Sequence, residues 1–132
     1  MADQRVGLVV GLSRTVGAVV GESLTARTIG SGGLEVLATP AMIALMEQAA
    51  YECLHQTLEP GLTSVGTKVA IRHLAASLVG ATVSATATIV SVTGNQIEFA
   101  VSAREGDHLI GEGQHTRVIV DPESFVLKAK RA

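Results

Sequence analysis

The strongest constraint on the fold is a change of hydrophobic period near Gly61. Upstream of it, Thr39-Pro40 opens an apolar segment that continues through AMIALMEQAAYECLHQTL and stops at Pro60-Gly61. The apolar residues recur at helical spacing, and proline is favoured at the first helical position. We therefore predict one helix of about 18 residues that buries one face, with Thr39 as its N-cap candidate.

Beyond Gly61 the apolar residues alternate with polar ones, which is typical of strands with one buried face. The segment SVGTKVAIRH places Val69, Ile71 and His73 on one face of a strand, with Lys68 and Arg72 on the other. The first predicted strand after the helix thus directs a histidine toward the core.

Three further strands and an opening strand complete the predicted pattern. ATVSATATIV and IEFAVSAR alternate cleanly, and the Gly94-Asn95 pair between them is typical of a tight hairpin turn. Gly106-Asp107 turns the chain into HLIGEGQHTRVIVD, and the valine- and glycine-rich first twenty residues predict a strand. Between that strand and the helix, GESLTARTIGSGG predicts a loop with one helical turn near Leu24.

These elements predict an α+β fold in which one long helix lies on the concave face of a mainly antiparallel, five-stranded sheet. One helix cannot cover such a sheet completely. A sheet edge or an apolar patch should therefore pair with a second copy of the chain, which predicts a homodimer.

Composition limits the classes of partner. The 132 residues are enough for a single domain, and we take residues 1–132 as one. The net charge of -2 gives no general attraction for nucleic acid or an anionic membrane, and no apolar run reaches the length of a membrane span. With Cys53 as the only cysteine and no signal sequence recognised, we expect a cytoplasmic protein without a disulfide or a thiolate metal cluster.

Three side chains are candidates for chemistry, and each has a plain structural alternative. Glu47 falls on the shoulder of the apolar helix face, where it either loses water or bends its carboxylate out to solvent. His73 points inward, where a backbone carbonyl can satisfy it, and the Thr39 hydroxyl can cap the helix or serve a ligand. The four histidines show no recognised metal-ligand spacing, so we expect no metal and no cofactor.

The segments GSGGLEVLATPAMIALMEQAA, VGTKVAIRHLAAS and GEGQHTRVIVD resemble hotdog-fold thioesterases of the fluoroacetyl-CoA thioesterase-like group, over roughly residues 15 to 128. The resemblance implies a hotdog fold and the hydrolysis of a small or medium acyl-CoA thioester. It also implies that Thr39, Glu47 and His73 act together as the catalytic group, because the family has a threonine, a glutamate eight residues later and a histidine on the next strand. Gly66 matches a glycine near the acyl group, and Arg117 matches a basic residue near coenzyme A.

The chain departs from the fluoroacetyl-specific members at the pocket entrance. Those members carry aromatic side chains there, whereas this chain has Gly30 and Gly33. The departure predicts a more open pocket that Gly33 borders, and a different or broader acyl group.

We expect Glu47 and His73 to transfer protons and Thr39 to orient the carboxylate or to act as a transient nucleophile. Backbone N–H groups near Gly66 or at the helix start are the candidate oxyanion donors. Because eight helical residues advance about 12 Å, Thr39 and Glu47 cannot meet within one regular helix. The site should therefore draw at least one residue from a partner subunit, and a dimer of dimers stays open.

Two other functions compete with hydrolysis. A hotdog dimer can hold acyl-CoA or another small apolar ligand without cleaving it. A hotdog dehydratase or hydratase also uses a histidine and an acid, although the Thr39-Pro40 entry to the helix fits the thioesterase group better.

Overall fold

The computed structural model describes residues 7–131 of the chain. A short 3₁₀ turn at Glu22–Leu24 lies between the first strand and the first helix. The elements are, in order, β1 (Ser13–Val19), α1 (Ala26–Ile29), α2 (Thr39–His55), β2 (Thr63–His73), β3 (Thr82–Thr93), β4 (Gln96–Glu105), β5 (His108–Val120) and α3 (Pro122–Ala129).

The five strands form one sheet in the order β1-β3-β4-β5-β2, and every neighbouring pair is antiparallel. The long helix α2 packs against this sheet, chiefly against β3, β1 and β2. The predicted α+β architecture is confirmed. In this order β1 and β2 are the edge strands, and β2 ends at His73.

The core lies between α2 and the inner face of β3 and β4, and it is built from small and medium side chains. The alternation predicted for these strands is confirmed, because every second residue is buried. One aromatic ring, that of Phe99, reaches the interior, and alanines let the helix approach the sheet closely. The buried side chains at this contact are Met42, Met46, Ala49, Ala50, Cys53 and Leu54 of α2, Val83, Ala85, Ala87 and Ile89 of β3, and Ile97, Phe99, Val101 and Ala103 of β4.

Both predicted hairpin turns are present. Gly94 has φ 61° and Gly106 has φ 58°, a left-handed conformation that glycine adopts without a steric penalty. Thr93 pairs with Gln96 across the first turn, and Glu105 pairs with His108 across the second. The turns therefore fix the register that keeps alternate residues facing the helix.

Two element predictions need correction. The opening strand spans only Ser13–Val19, since the residues from 7 to 12 form turns and coil, and residues 1–6 lie outside the described part of the chain. The helix α3 was not predicted, although Asp121 accepts a hydrogen bond from the Ser124 backbone N–H and Pro122 opens the helix. Within residues 7–131, no helix has the length and apolar character needed to cross a bilayer.

Candidate active site

Thr39 is the first helical residue of α2, not its N-cap. Ala38 takes the N-cap position with an extended backbone (φ -69°, ψ 142°), and its side chain cannot cap the helix. The N-cap prediction for Thr39 is therefore wrong. Its hydroxyl instead lies 2.8 Å from Nδ1 of His73, a hydrogen bond that joins the start of α2 to the end of β2.

His73 is the last residue of β2, and its side chain points inward as predicted. Its partner across the sheet is Gly111, and the side chain of Met42 from α2 packs over that glycine. The second ring nitrogen, Nε2, is buried and has no hydrogen-bond partner among the described residues. Burial lowers the pKa of His73, and the nearby Ala75 backbone partly offsets this. The ring is therefore held neutral near pH 7, in a state that can accept a proton.

The Thr39–His73 pair borders a cleft of about 350 Å³. Apart from these two residues and Ser31, the lining is aliphatic. It comprises Ala26, Val36, Leu37, Leu74, Ala75 and Ala76. A hydrogen-bonded hydroxyl and imidazole thus border a cavity suited to an apolar group.

Glu47 lies two turns further along α2 and faces a different cleft. Its side chain is 45% exposed, and the cleft of about 240 Å³ beside it is also lined by Gly66, Val69 and His115. This second cleft shares no lining residue with the first. Within one protomer the three predicted catalytic side chains therefore divide into a Thr39–His73 pair and a separate Glu47.

Arg117 is buried beneath Glu47. Its Nε donates to Oγ of Ser64 at 2.8 Å, and its Nη2 donates to the Ser64 carbonyl at 3.0 Å. Its Nη1 lies 4.0 Å from Oε2 of Glu47. Burial lowers the pKa of Arg117, whereas the charges of Glu47 and Tyr51 raise it. In the described protomer the guanidinium faces Glu47, and its contact with coenzyme A stays a prediction.

Sequence reasoning missed His115 and Ser64, which both belong to this buried cluster. His115 is 1% exposed, and its Nδ1 lies 2.8 Å from the Lys68 carbonyl while its Nε2 lies 3.2 Å from Nη1 of Arg117. The signal was present, because alternation along QHTRVI places residues 115, 117 and 119 on one face of β5. All three are buried in the structure.

The two predicted glycines differ in their surroundings. A Cβ added to Gly66 would lie 2.9 Å from Oε2 of Glu47, so a side chain at this position would displace the carboxylate. Gly33 lies in an exposed segment and a Cβ there would meet no atom within 4 Å. Ser31, and not Gly33, lines the cleft beside Thr39, so the role of Gly33 at the entrance stays a prediction.

No group of three or more metal-binding side chains occurs among residues 7–131. The chemistry that the described residues can perform is proton transfer and nucleophilic attack, from Thr39, His73 and Glu47.

Comparisons with known proteins agree on one family. The profile of the family described as fluoroacetyl-CoA-specific thioesterase matches residues 20–123. The fluoroacetyl-CoA thioesterase of Streptantibioticus cattleyicolor is 40% identical over 97 residues, which are 74% of this chain and 70% of that protein.

Solved structures give the same result. A structure of the fluoroacetyl-CoA thioesterase FlK is 36% identical, with a TM-score of 0.86 over 92% of this chain and 95% of that chain. A FlK variant in complex with fluoroacetate and CoA is also 36% identical, with a TM-score of 0.84 over 89% of this chain and 99% of that one. A thioesterase superfamily member from Thermus thermophilus is 30% identical, with a TM-score of 0.85 over 92% of this chain and 90% of its own.

Proposed function

This chain belongs to the fluoroacetyl-CoA-specific thioesterase family, and we infer from that membership that it hydrolyses small or medium acyl-CoA thioesters. The chain is a thioester hydrolase of the hotdog fold. What we propose beyond this is the identity of its catalytic residues, the place of the acyl group and the need for two subunits. The proposal treats residues 1–132 as one domain and places the enzyme in the cytoplasm.

The observation that carries the proposed site is the hydrogen bond between Thr39 and His73 beside an aliphatic cleft. Nδ1 of the neutral His73 imidazole can accept the proton of the Thr39 hydroxyl as that oxygen attacks the thioester carbon, or the Thr39 hydroxyl can stay on Nδ1 while Glu47 takes a proton from an attacking water. In the first case the tetrahedral oxyanion collapses to an ester on Thr39 and the coenzyme A thiolate, and a water that gives its proton to Glu47 then hydrolyses the ester and restores the Thr39 hydroxyl. In the second case the oxyanion collapses directly to the free acid and the thiolate. The proton taken up by His73 or Glu47 passes to the thiolate or to solvent. Backbone N–H groups at the start of α2 or near Gly66 are the candidate oxyanion donors.

The lining of the first cleft supports an aliphatic acyl group. Val36, Leu37 and the segment 74–76 offer apolar surface and no charge. Thr39 and His73 lie at the same cleft, so an acyl chain placed there would bring its carbonyl to the reacting pair. The sequence has glycines at 30 and 33, on either side of the lining residue Ser31, and the absence of bulky side chains there favours acyl chains longer than acetyl.

Glu47 completes the site if it comes from a partner subunit. The edge strand β2 is exposed along the five consecutive residues 66–70, and Val69 on its inner face remains 45% exposed beside Glu47. An uncovered edge strand with an apolar residue on its inner face favours pairing with a second copy. In such a symmetric dimer each of two sites can take Thr39 and His73 from one subunit and Glu47 from the other.

Thiol release from a panel of acyl-CoA substrates tests the proposed activity directly. We expect Glu47→Gln to lower the turnover rate by about a hundredfold, the usual range for losing a general acid or base. His108→Gln, in an exposed hairpin, is the control and should retain wild-type turnover. Tight binding of acyl-CoA without thiol release by the wild-type protein would instead support the binding-protein alternative.

Mixed dimers test the two-subunit site. Neither Glu47→Gln nor His73→Asn should hydrolyse substrate efficiently alone. If the two variants are unfolded and refolded together, half of the dimers are mixed and each has one site with both native residues, so about a quarter of wild-type activity should return. Recovery no greater than the sum of the separate variants would show that each site lies within one protomer.

A further inference from the structure

The buried contacts around Arg117 determine which atoms carry hydrogen. A guanidinium has only donors and does not lose its charge in proteins. Its Nη1 lies 3.2 Å from Nε2 of His115, so Nε2 must be the acceptor and carry the lone pair. The other nitrogen, Nδ1, lies 2.8 Å from the Lys68 carbonyl and must therefore carry the hydrogen. His115 is thus neutral and held in one tautomer.

The same contacts fix the orientation of the guanidinium. Two of its three nitrogens donate to Ser64, to Oγ at 2.8 Å and to the carbonyl at 3.0 Å. The third, Nη1, is left between His115 and Glu47. The three acceptors, Ser64 Oγ, the Ser64 carbonyl and His115 Nε2, are held in place by β2 and β5. The guanidinium can therefore present only Nη1 toward the carboxylate.

Glu47 needs such an anchor. Its carboxylate is half exposed, and no described neighbour on α2 holds it. A glutamate has three rotatable bonds, so without a fixed cation beside it the carboxylate would sample many positions. Among residues 7–131, the ion pair with Nη1 of Arg117, at 4.0 Å, is the contact that can restrain this carboxylate.

We propose that His115 and Ser64 are positioning residues that hold Arg117 and, through it, aim the Glu47 carboxylate at the acyl site. This inference rests on the proposed function, since it assumes that Glu47 takes part in hydrolysis. It adds two residues that act on the reaction without touching the substrate, and it gives Arg117 a role other than contact with coenzyme A.

The first test compares two replacements of His115. His115→Phe removes the acceptor of Arg117, whereas His115→Gln supplies an amide oxygen near the position of Nε2. We expect the phenylalanine variant to lower kcat by about tenfold with KM within about twofold, and the glutamine variant to recover most of the loss, because misplacing a catalytic group affects the chemical step. His108→Phe, the same replacement at an exposed histidine, should match the wild type. Unchanged kcat in folded His115→Phe overturns the proposal.

The second test asks whether the effect passes through Glu47. In a Glu47→Gln background, His115→Phe should reduce the residual rate by less than about twofold, because the group that it positions is already absent. An undiminished tenfold loss in that background overturns the proposal. If His115→Phe does not fold, Ser64→Ala replaces it in both backgrounds, with Ser84→Ala on the same sheet as its control.

A readout without turnover separates this inference from the proposed function. The ¹³C resonance of the Glu47 carboxyl carbon should shift in His115→Phe and return toward the wild-type position in His115→Gln. If the wild-type protein releases no thiol from any acyl-CoA, the proposed function fails, while this resonance still decides whether His115 orients Glu47. An unmoved resonance overturns the positioning role.

Discussion

Replacing Gly66 with alanine should slow hydrolysis while the protein still folds. The added Cβ would lie 2.9 Å from Oε2 of Glu47, 3.1 Å from Cε1 of His115 and 3.4 Å from Nη1 of Arg117. Heavy atoms pack best at about 3.5 Å, so the carboxylate must retreat by about half an ångström. It can do so because it ends a flexible side chain, whereas His115 and Arg117 are held by hydrogen bonds.

The expected loss follows from this displacement. A misplacement of about 1 Å can cost about a hundredfold in rate, so half of that distance predicts a kcat about tenfold lower. Gly66 does not adopt a left-handed backbone, and alanine in a strand is as favourable as glycine or better. The backbone therefore accepts alanine, but the added Cβ would lie 3.1 Å from Cε1 of His115, which its hydrogen bond to the Lys68 carbonyl holds in place, so the melting temperature should fall slightly. Thiol release under saturating acyl-CoA measures kcat, and thermal unfolding measures stability.

Gly17→Ala is the matched control, since Gly17 also lies in a strand and its added Cβ would meet only the Val83 carbonyl oxygen at 3.6 Å. That variant should keep wild-type kcat. A folded Gly66→Ala enzyme with wild-type kcat would refute the reasoning, because the carboxylate would then tolerate displacement. Combining Gly66→Ala with Glu47→Gln should add little to the loss caused by Glu47→Gln alone.

Three other predictions concern the Thr39 hydroxyl, the buried histidines and Gly113. Thr39→Val should lower kcat at least tenfold because it removes the partner of His73 Nδ1, while Thr39→Ser should keep most of the rate, and equal rates for both would exclude the hydroxyl from the reaction. Because burial lowers the pKa values of His73 and His115 from 6.5, the unfolded chain binds more protons below about pH 6.5. The urea concentration at the unfolding midpoint should therefore decrease as the pH is lowered from 7.5 to 5.5, and it should decrease less in His115→Gln. A midpoint that increases on acidification would contradict this prediction. Gly113→Ala should destabilise the protein by about 2 kcal/mol, since its Cβ would overlap the Ala70 carbonyl oxygen and lie 2.8 Å from the Ile71 Cα, and an unchanged urea midpoint would contradict it.

Periodicity was sufficient to predict most of the fold. The helix α2 and the strands β3 and β4 repeat at 3.6 and 2 residues, and the glycines at 94 and 106 have the positive φ that their turns require. The errors lie at the chain ends. Valine and glycine near the start of the chain favour a strand, but the regular pairing of β1 with β3 begins at Ser13 opposite Thr88. Just before it, Gly11 has φ 97°, and β3 has a register shift between Ile89 and Ser91. The helix α3 begins at a clear start signal, Asp121-Pro122, but this signal directly follows the alternating residues of β5 and was not used in the prediction.

The candidate site was less predictable because its contacts join distant parts of the chain. Spacing on α2 could not show that the Thr39 hydroxyl bonds to a ring 34 residues away rather than to its own helix. That outcome depends on Ala38 taking the N-cap position, a shift of one residue. Likewise, the family resemblance predicted that Arg117 is a basic residue near coenzyme A. Only the pairing of β2 with β5 shows that its side chain is buried between Ser64 and Glu47.

The separation of the two clefts links catalysis to assembly. Thr39 and Glu47 lie on the same rigid helix, and eight helical residues keep their backbones about 12 Å apart in every conformation that preserves α2. Flexing of a single protomer therefore cannot bring them together, whereas a symmetric partner can place its Glu47 cleft against the Thr39–His73 pair. In the dimer that we propose, two incomplete clefts per chain become two complete sites per dimer, each formed only when the exposed edge of β2 is covered. Within one protomer Glu47 faces a different cleft from Thr39 and His73, and this is the position that the proposed two-subunit site requires.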